Sequence, residues 1–83
     1  DNWPNHMKFK SSAIQILGCL NETKFYNNIN EFSDERYTPY WKNRYTALLV
    51  LQKKQIHIKK DLAKLFFNDS HRFVRLKAKE IGS

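Results

Sequence analysis

Residues 67–82 read Phe67-Asn68-Asp69-Ser70-His71-Arg72-Phe73-Val74-Arg75-Leu76-Lys77-Ala78-Lys79-Glu80-Ile81-Gly82, and the reading of this stretch decides the fold. Val74, Ala78 and Ile81 recur at intervals of four and three, which is the spacing of one face of a helix. Either Asp69 or Ser70 can cap its start, and Gly82 is placed to end it. The pattern apolar-Arg-x-x-Ala is not confined to this stretch. Asn43-Arg44-Tyr45-Thr46-Ala47 and Phe9-Lys10-Ser11-Ser12-Ala13 align with it through a cation followed three residues later by Ala, and the three copies begin at residues 9, 43 and 74, which are 34 and 31 residues apart. Each interval holds a shorter apolar segment, so the repeating unit is a helical hairpin.

Working outward, the spacing predicts five helices. Phe9, Ala13, Ile16, Leu17 and Leu20 place the first over 5–21 with Pro4 in its first turn, and Trp3 as a capping contact. Phe25, Ile29 and Phe32 place the second over 24–32, followed by a loop at 33–38. Thr38 before Pro39 is a start signal for a third over 39–52, with Ala47, Leu48, Val50 and Leu51 inward. Ile58, Leu62, Leu65 and Phe66 give a fourth over 58–67, and the patterned stretch gives the fifth.

Eighty-three residues make one small domain or a fragment of a longer repeat protein, with no room for a deep enclosed active site. Two glycines and two prolines argue against a turn-rich β architecture. Cys19 cannot form an internal disulfide, which favours a reducing, cytoplasmic setting, and no apolar run is long enough to span a membrane. The net charge of +7 is lopsided. Residues 1–41 sum to −1, whereas residues 42–79 carry eleven cations against Asp61 and Asp69.

At these residues the chain resembles the HEAT-repeat family, whose second helix commonly reads apolar, Arg, two variable residues, Ala, then Leu-Gly. The resemblance implies an all-α, right-handed short α-solenoid of about two and a half hairpins. The period is below the roughly 40 residues of HEAT repeats, Asn43 stands where an apolar residue is expected, and Ile81 arrives one residue early. The similar-length tetratricopeptide pattern lacks its Trp, Leu-Gly and Tyr signature in order. Because such stacks need about three repeats for stability, further repeats or self-association are expected. The resemblance also implies that Lys10, Arg44 and Arg75 reach turn aspartates of neighbouring repeats, with Asp34 and Asp69 as the candidates.

The candidate contact residues are of two kinds. Lys53, Lys54, Lys59, Lys60, Lys64, Arg72, Lys77 and Lys79 can form a positive face suited to an acidic protein partner, or alternatively to nucleic-acid phosphates. Tyr37, Tyr40, Trp41 and Tyr45 form an aromatic cluster suited to anchoring a peptide or stacking on bases, or else to packing on Phe25 and Phe32. Catalytic chemistry has little support. His6, His57 and His71 lack metal-ligand spacing, Cys19 reads as a packed helical residue, Asp34-Glu35 as a solvated pair, and no phosphate loop or cofactor motif is present. The expectation is a non-catalytic binding scaffold, with a piece of a larger enzyme as the remaining possibility.

Overall fold

The computed structural model describes residues 9–83; the expectations placed on Trp3, Pro4, His6 and the start of the first helix lie outside them. Among the described residues the chain is all-helical, with α1 (Ser11–Leu20), α2 (Glu22–Asn27), α3 (Ile29–Ser33), α4 (Trp41–Gln52), α5 (Lys59–Ala63) and α6 (Arg72–Gly82). A 3-10 turn, Lys64–Phe66, prolongs α5.

Six helices stand where five are expected, because the predicted 24–32 segment is two. Asn28 leaves helical geometry at ψ 3°, and its side-chain amide donates to the Lys24 carbonyl at 2.8 Å. A side chain that satisfies the backbone locally competes with helix continuation. At the front of the chain Lys10 is extended and serves as the N-cap of α1, so that helix starts at Ser11.

Two start signals act differently from their expected roles. Thr38 does not cap α4. Its hydroxyl donates to the Glu31 carbonyl at 2.8 Å, closing the 34–40 connection, while Tyr40 is the N-cap residue without a side-chain bond. The cap of α6 is His71, whose Nδ1 accepts from the Phe73 amide at 3.2 Å, one residue beyond Ser70 and two beyond Asp69.

Three helices run parallel, side by side. Ser11 at the start of α1 bonds Asn43 at the start of α4, and Gly18 near the end of α1 lies against Val50 near the end of α4. Trp41 and Arg44 meet His71 and Asp69 at the front of α6, and Gln52 meets Glu80 at its back. The shorter elements form the opposing layer: α2 packs on α1 and α3, α3 on α4, and α5 with its 3-10 turn on α6.

Between the layers lies one apolar core. Ile14, Phe25, Ile29, Phe32, Ala47, Leu48, Leu51, Ala63, Phe66, Val74 and Ala78 are fully or almost fully buried. At about 25 cal/mol per Å² of apolar surface removed from water, this core is the main stabilising term. Its membership corrects the expected faces. Ile14 and Gly18 turn inward on α1, so Ile16 and Leu20 face solvent at 46% and 81% exposure, and Cys19 is exposed rather than packed. Ala63 replaces Ile58 and Leu65, which are exposed, and Val50 is only partly buried.

Candidate interaction surface

The front ends of α4 and α6 are joined by a buried ion pair. Arg44, 2% exposed, donates from Nε to Asp69 Oδ2 at 2.6 Å and from Nη2 to Oδ1 at 2.9 Å. A planar guanidinium matches a carboxylate bidentately, which fixes orientation as well as charge. Its remaining amino group, Nη1, holds the carbonyls of Thr38 and Pro39 at 2.8 and 3.0 Å. Glu35 lies 3.9 Å from Arg44 and accepts from the Ser70 hydroxyl and amide at 2.6 and 3.1 Å, so the two connecting turns are tied as well.

Arg75 repeats half of this arrangement. Its Nη1 donates to the carbonyls of Asp69 and Ser70 at 2.8 and 3.0 Å, the residues six and five positions before it, as Thr38 and Pro39 are before Arg44. The edge of Arg75 formed by Nε and Nη2 meets no acceptor among the described residues. Lys10 and Asp34 take no part in such a ladder. Lys10 lies at a helix N-cap instead of in the fourth helical position that Arg44 and Arg75 occupy, and Asp34 pairs with Arg36 at 2.7 Å. That guanidinium, by hydrogen bonds first, holds the Asp34 carboxyl below its usual range.

The basic residues divide into internal and outward sets. Lys54 binds the Gly18 carbonyl at 2.5 Å and Glu22 at 2.9 Å, closing the end of α1 onto α2. Lys59 donates to the Gln52 carbonyl at 3.0 Å, near the end of α4. Lys77 pairs with Glu80 at 3.1 Å, and Gln52 bonds the same carboxylate, holding it below its usual range. Tyr26, beside this region, has its phenol raised by burial and by Glu22, with Lys54 opposing. Lys53, Lys60, Arg72 and Lys79 face outward, and Lys64 does so beside Asp61 at 3.6 Å.

The aromatic cluster is rebuilt by the fold. Trp41 and Tyr45 meet edge to face at 6.0 Å, but the stronger partner of Trp41 is His71, stacked at 3.8 Å with 9° between planes. Phe73 meets both at 5.7 and 5.4 Å. Tyr37 leaves the group to pack on Phe9, and Tyr40 is exposed. Tyr37, Tyr40, Lys10 and Arg36 border a shallow recess of about 350 Å³ beside Phe9 and Pro39.

The side chains that the spacing did not single out are Phe73 and Leu76, which stand 52% and 57% exposed on α6, Phe73 on the side that meets Trp41 of α4. Asn43 is another: its Oδ1 accepts from the Ser11 amide and hydroxyl at 3.0 and 2.7 Å, capping α1 from a neighbouring helix. The polar residue at an otherwise apolar repeat position was its only signal. Among the described residues no group of His, Cys, Asp and Glu could hold a metal ion, and no helix is long and apolar enough to cross a membrane. No family model, curated protein or solved structure matches the chain.

Proposed function

We propose that this chain is a non-catalytic binding module, a short HEAT-like stack of helical hairpins that docks an acidic protein partner on the outer side of α6. The observation that carries the reading is the Nε–Nη2 edge of Arg75, which meets no acceptor among the described residues. The equivalent edge of Arg44 holds a carboxylate inside the molecule, so Arg75 offers the same fork outward. Phe73 and Leu76 add exposed apolar surface on the same helix, where Arg72 and Lys79 supply further positive charge. An apolar patch rimmed by one sign of charge suits an amphipathic partner of the opposite sign.

The nucleic-acid reading draws on a different observation, the half-buried Trp41–His71 ring stack with Lys42 5.9 Å over the indole, since rings beside cations can stack bases. A fluorescence-anisotropy titration separates the two. Labelled poly-glutamate and single- and double-stranded oligonucleotides are compared at low and near-physiological salt, with wild type and Arg75→Ala. Preference for the polypeptide, weakened severalfold by Arg75→Ala, supports protein docking. Oligonucleotide binding that survives physiological salt and the acidic competitor reverses the order of the readings.

A further inference from the structure

We infer that the recess between the start of α1 and the entry to α4 is a binding site for an aryl phosphate, a flat ring that carries its phosphate directly. Its apolar part is largely aromatic: Phe9 and Pro39 line it together with Tyr37 and Tyr40, whose rings are exposed. At about 350 Å³ it lies at the small end of the roughly 300–1,000 Å³ of ligand pockets, with room for one ring and one charged group rather than for a folded segment. A ring entering beside the two tyrosines gains the offset or edge-to-face contacts that aromatic pairs favour.

The polar side of the recess consists of donors. Lys10, Arg36 and Asn43 border it, and among the described residues that line it there is no acid. The Lys10 side chain makes no cap bond to α1, and its ammonium meets no acceptor among the described residues. Asn43 spends Oδ1 on the Ser11 amide and hydroxyl, which leaves its Nδ2 without an acceptor among the described residues. Arg36 spends Nε and Nη2 on Asp34 and keeps Nη1. Asp34 offsets the charge of Arg36, so Lys10 supplies the positive excess. A planar carboxylate is matched by a guanidinium fork, and the fork of Arg36 is taken; single donors from three segments suit the tetrahedral oxygens of a phosphate instead. The Arg36 guanidinium carbon lies 5.9 Å from the Tyr37 ring centroid, which places the anion close to the ring that carries it, as in an aryl phosphate, rather than across a sugar, as in a nucleotide.

Nitrogen-15 NMR titration of the full chain tests it with phenyl phosphate, benzoate, inorganic phosphate and uridine monophosphate. Phenyl phosphate is expected to bind in the millimolar range, as suits about ten non-hydrogen atoms in an open recess, and severalfold more tightly than the other three. It should shift the Asn43 side-chain amide and the backbone amides of Tyr37 and Tyr40. Lys10→Ala and Tyr40→Ala should each weaken it severalfold and Lys10→Arg should retain it; Lys10 and Tyr40 are exposed, and circular dichroism checks that the variants remain helical. Arg75→Ala should leave it unchanged. Blocked phosphotyrosine, acetylated and amidated, is the further arm: binding tighter than that of phenyl phosphate makes a phosphorylated tyrosine of a protein the source, and equal or weaker binding makes it a free aryl phosphate. The absence of saturable shifts at these residues, equal binding of inorganic phosphate or benzoate, or tighter binding of the nucleotide overturns the assignment. Loss of binding in Arg75→Ala overturns it too and moves the anion to α6, so the recess can fail while the docking reading of α6 stands on its own test.

Discussion

At the scale of single residues, the largest energetic commitment is Arg44. With both charges almost fully buried, removing one strands the other in a low-dielectric interior. Arg44→Ala is expected to lower unfolding stability by about 3–5 kcal/mol, while Arg44→Met with Asp69→Leu should recover much of that loss, measured by urea denaturation. Asn43→Ala removes the cap supplied to α1 from across the interface and should cost about 1 kcal/mol in the same assay. Two exposed carboxylates contribute to the acid limb. Asp34 and Glu80 are held below the usual range by hydrogen bonds, to Arg36 and to Lys77 with Gln52 respectively, so their folded forms bind protons less readily than their unfolded forms. The stability they contribute is complete above the ordinary carboxylate range and is lost as pH falls through their lowered values. Asp34→Asn with Glu80→Gln should therefore reduce the decline of stability below about pH 4 by a small amount, read from thermal midpoints across pH. The recurrence of Lys10, Arg44 and Arg75 was visible from the repeat spacing, because a cation recurring at one register position is visible in one dimension, whereas the turn aspartates came from the family resemblance. Which acceptor each cation finds was not visible, since Asp34 and Asp69 are equally plausible in sequence and only the turn geometry sends Asp34 to Arg36.

At the scale of elements, helix–helix approach depends on one missing side chain. A Cβ on Gly18 would collide with Val50 Cγ1, so α1 and α4 lie closer than any larger residue permits. Gly18→Ala gains about 1 kcal/mol in helix propensity but forces overpacking, and should destabilise by about 1–3 kcal/mol net. Adding Val50→Ala should return part of the loss, and a double-mutant cycle measures the coupling. The same contact explains why the face of α1 was misread. Ile16 and Leu20 fit a helical stripe as well as Ile14 does, and hydropathy cannot say which stripe meets the core. The close approach at Gly18 rotates the helix so that Ala13, Ile14 and Gly18 are inward. The break at Asn28 was hidden for a related reason: Phe25, Ile29 and Phe32 keep helical spacing across it, and all three are buried on either side of a turn.

At the scale of the whole molecule, the surplus of positive charge is only partly available to a partner. Lys54, Lys59 and Lys77 are engaged with carbonyls or carboxylates of the fold, so Lys54→Ala should cost about 1 kcal/mol of stability with little change in anion binding. Arg72→Glu with Lys79→Glu should do the reverse, leaving the thermal midpoint nearly unchanged and weakening poly-glutamate binding severalfold, with the loss shrinking as salt rises. The chain's linear pattern was enough to determine an all-helical class, the approximate centres of its longer helices and the charge imbalance between its halves. These follow from side-chain periodicity and composition, which need no knowledge of neighbours. Only the tertiary structure decided which stripe of each helix is buried, which cations are spent internally, and that Phe73 and Leu76 face solvent. Those outcomes depend on contacts between residues some thirty positions apart, where distance along the chain carries no information about who meets whom.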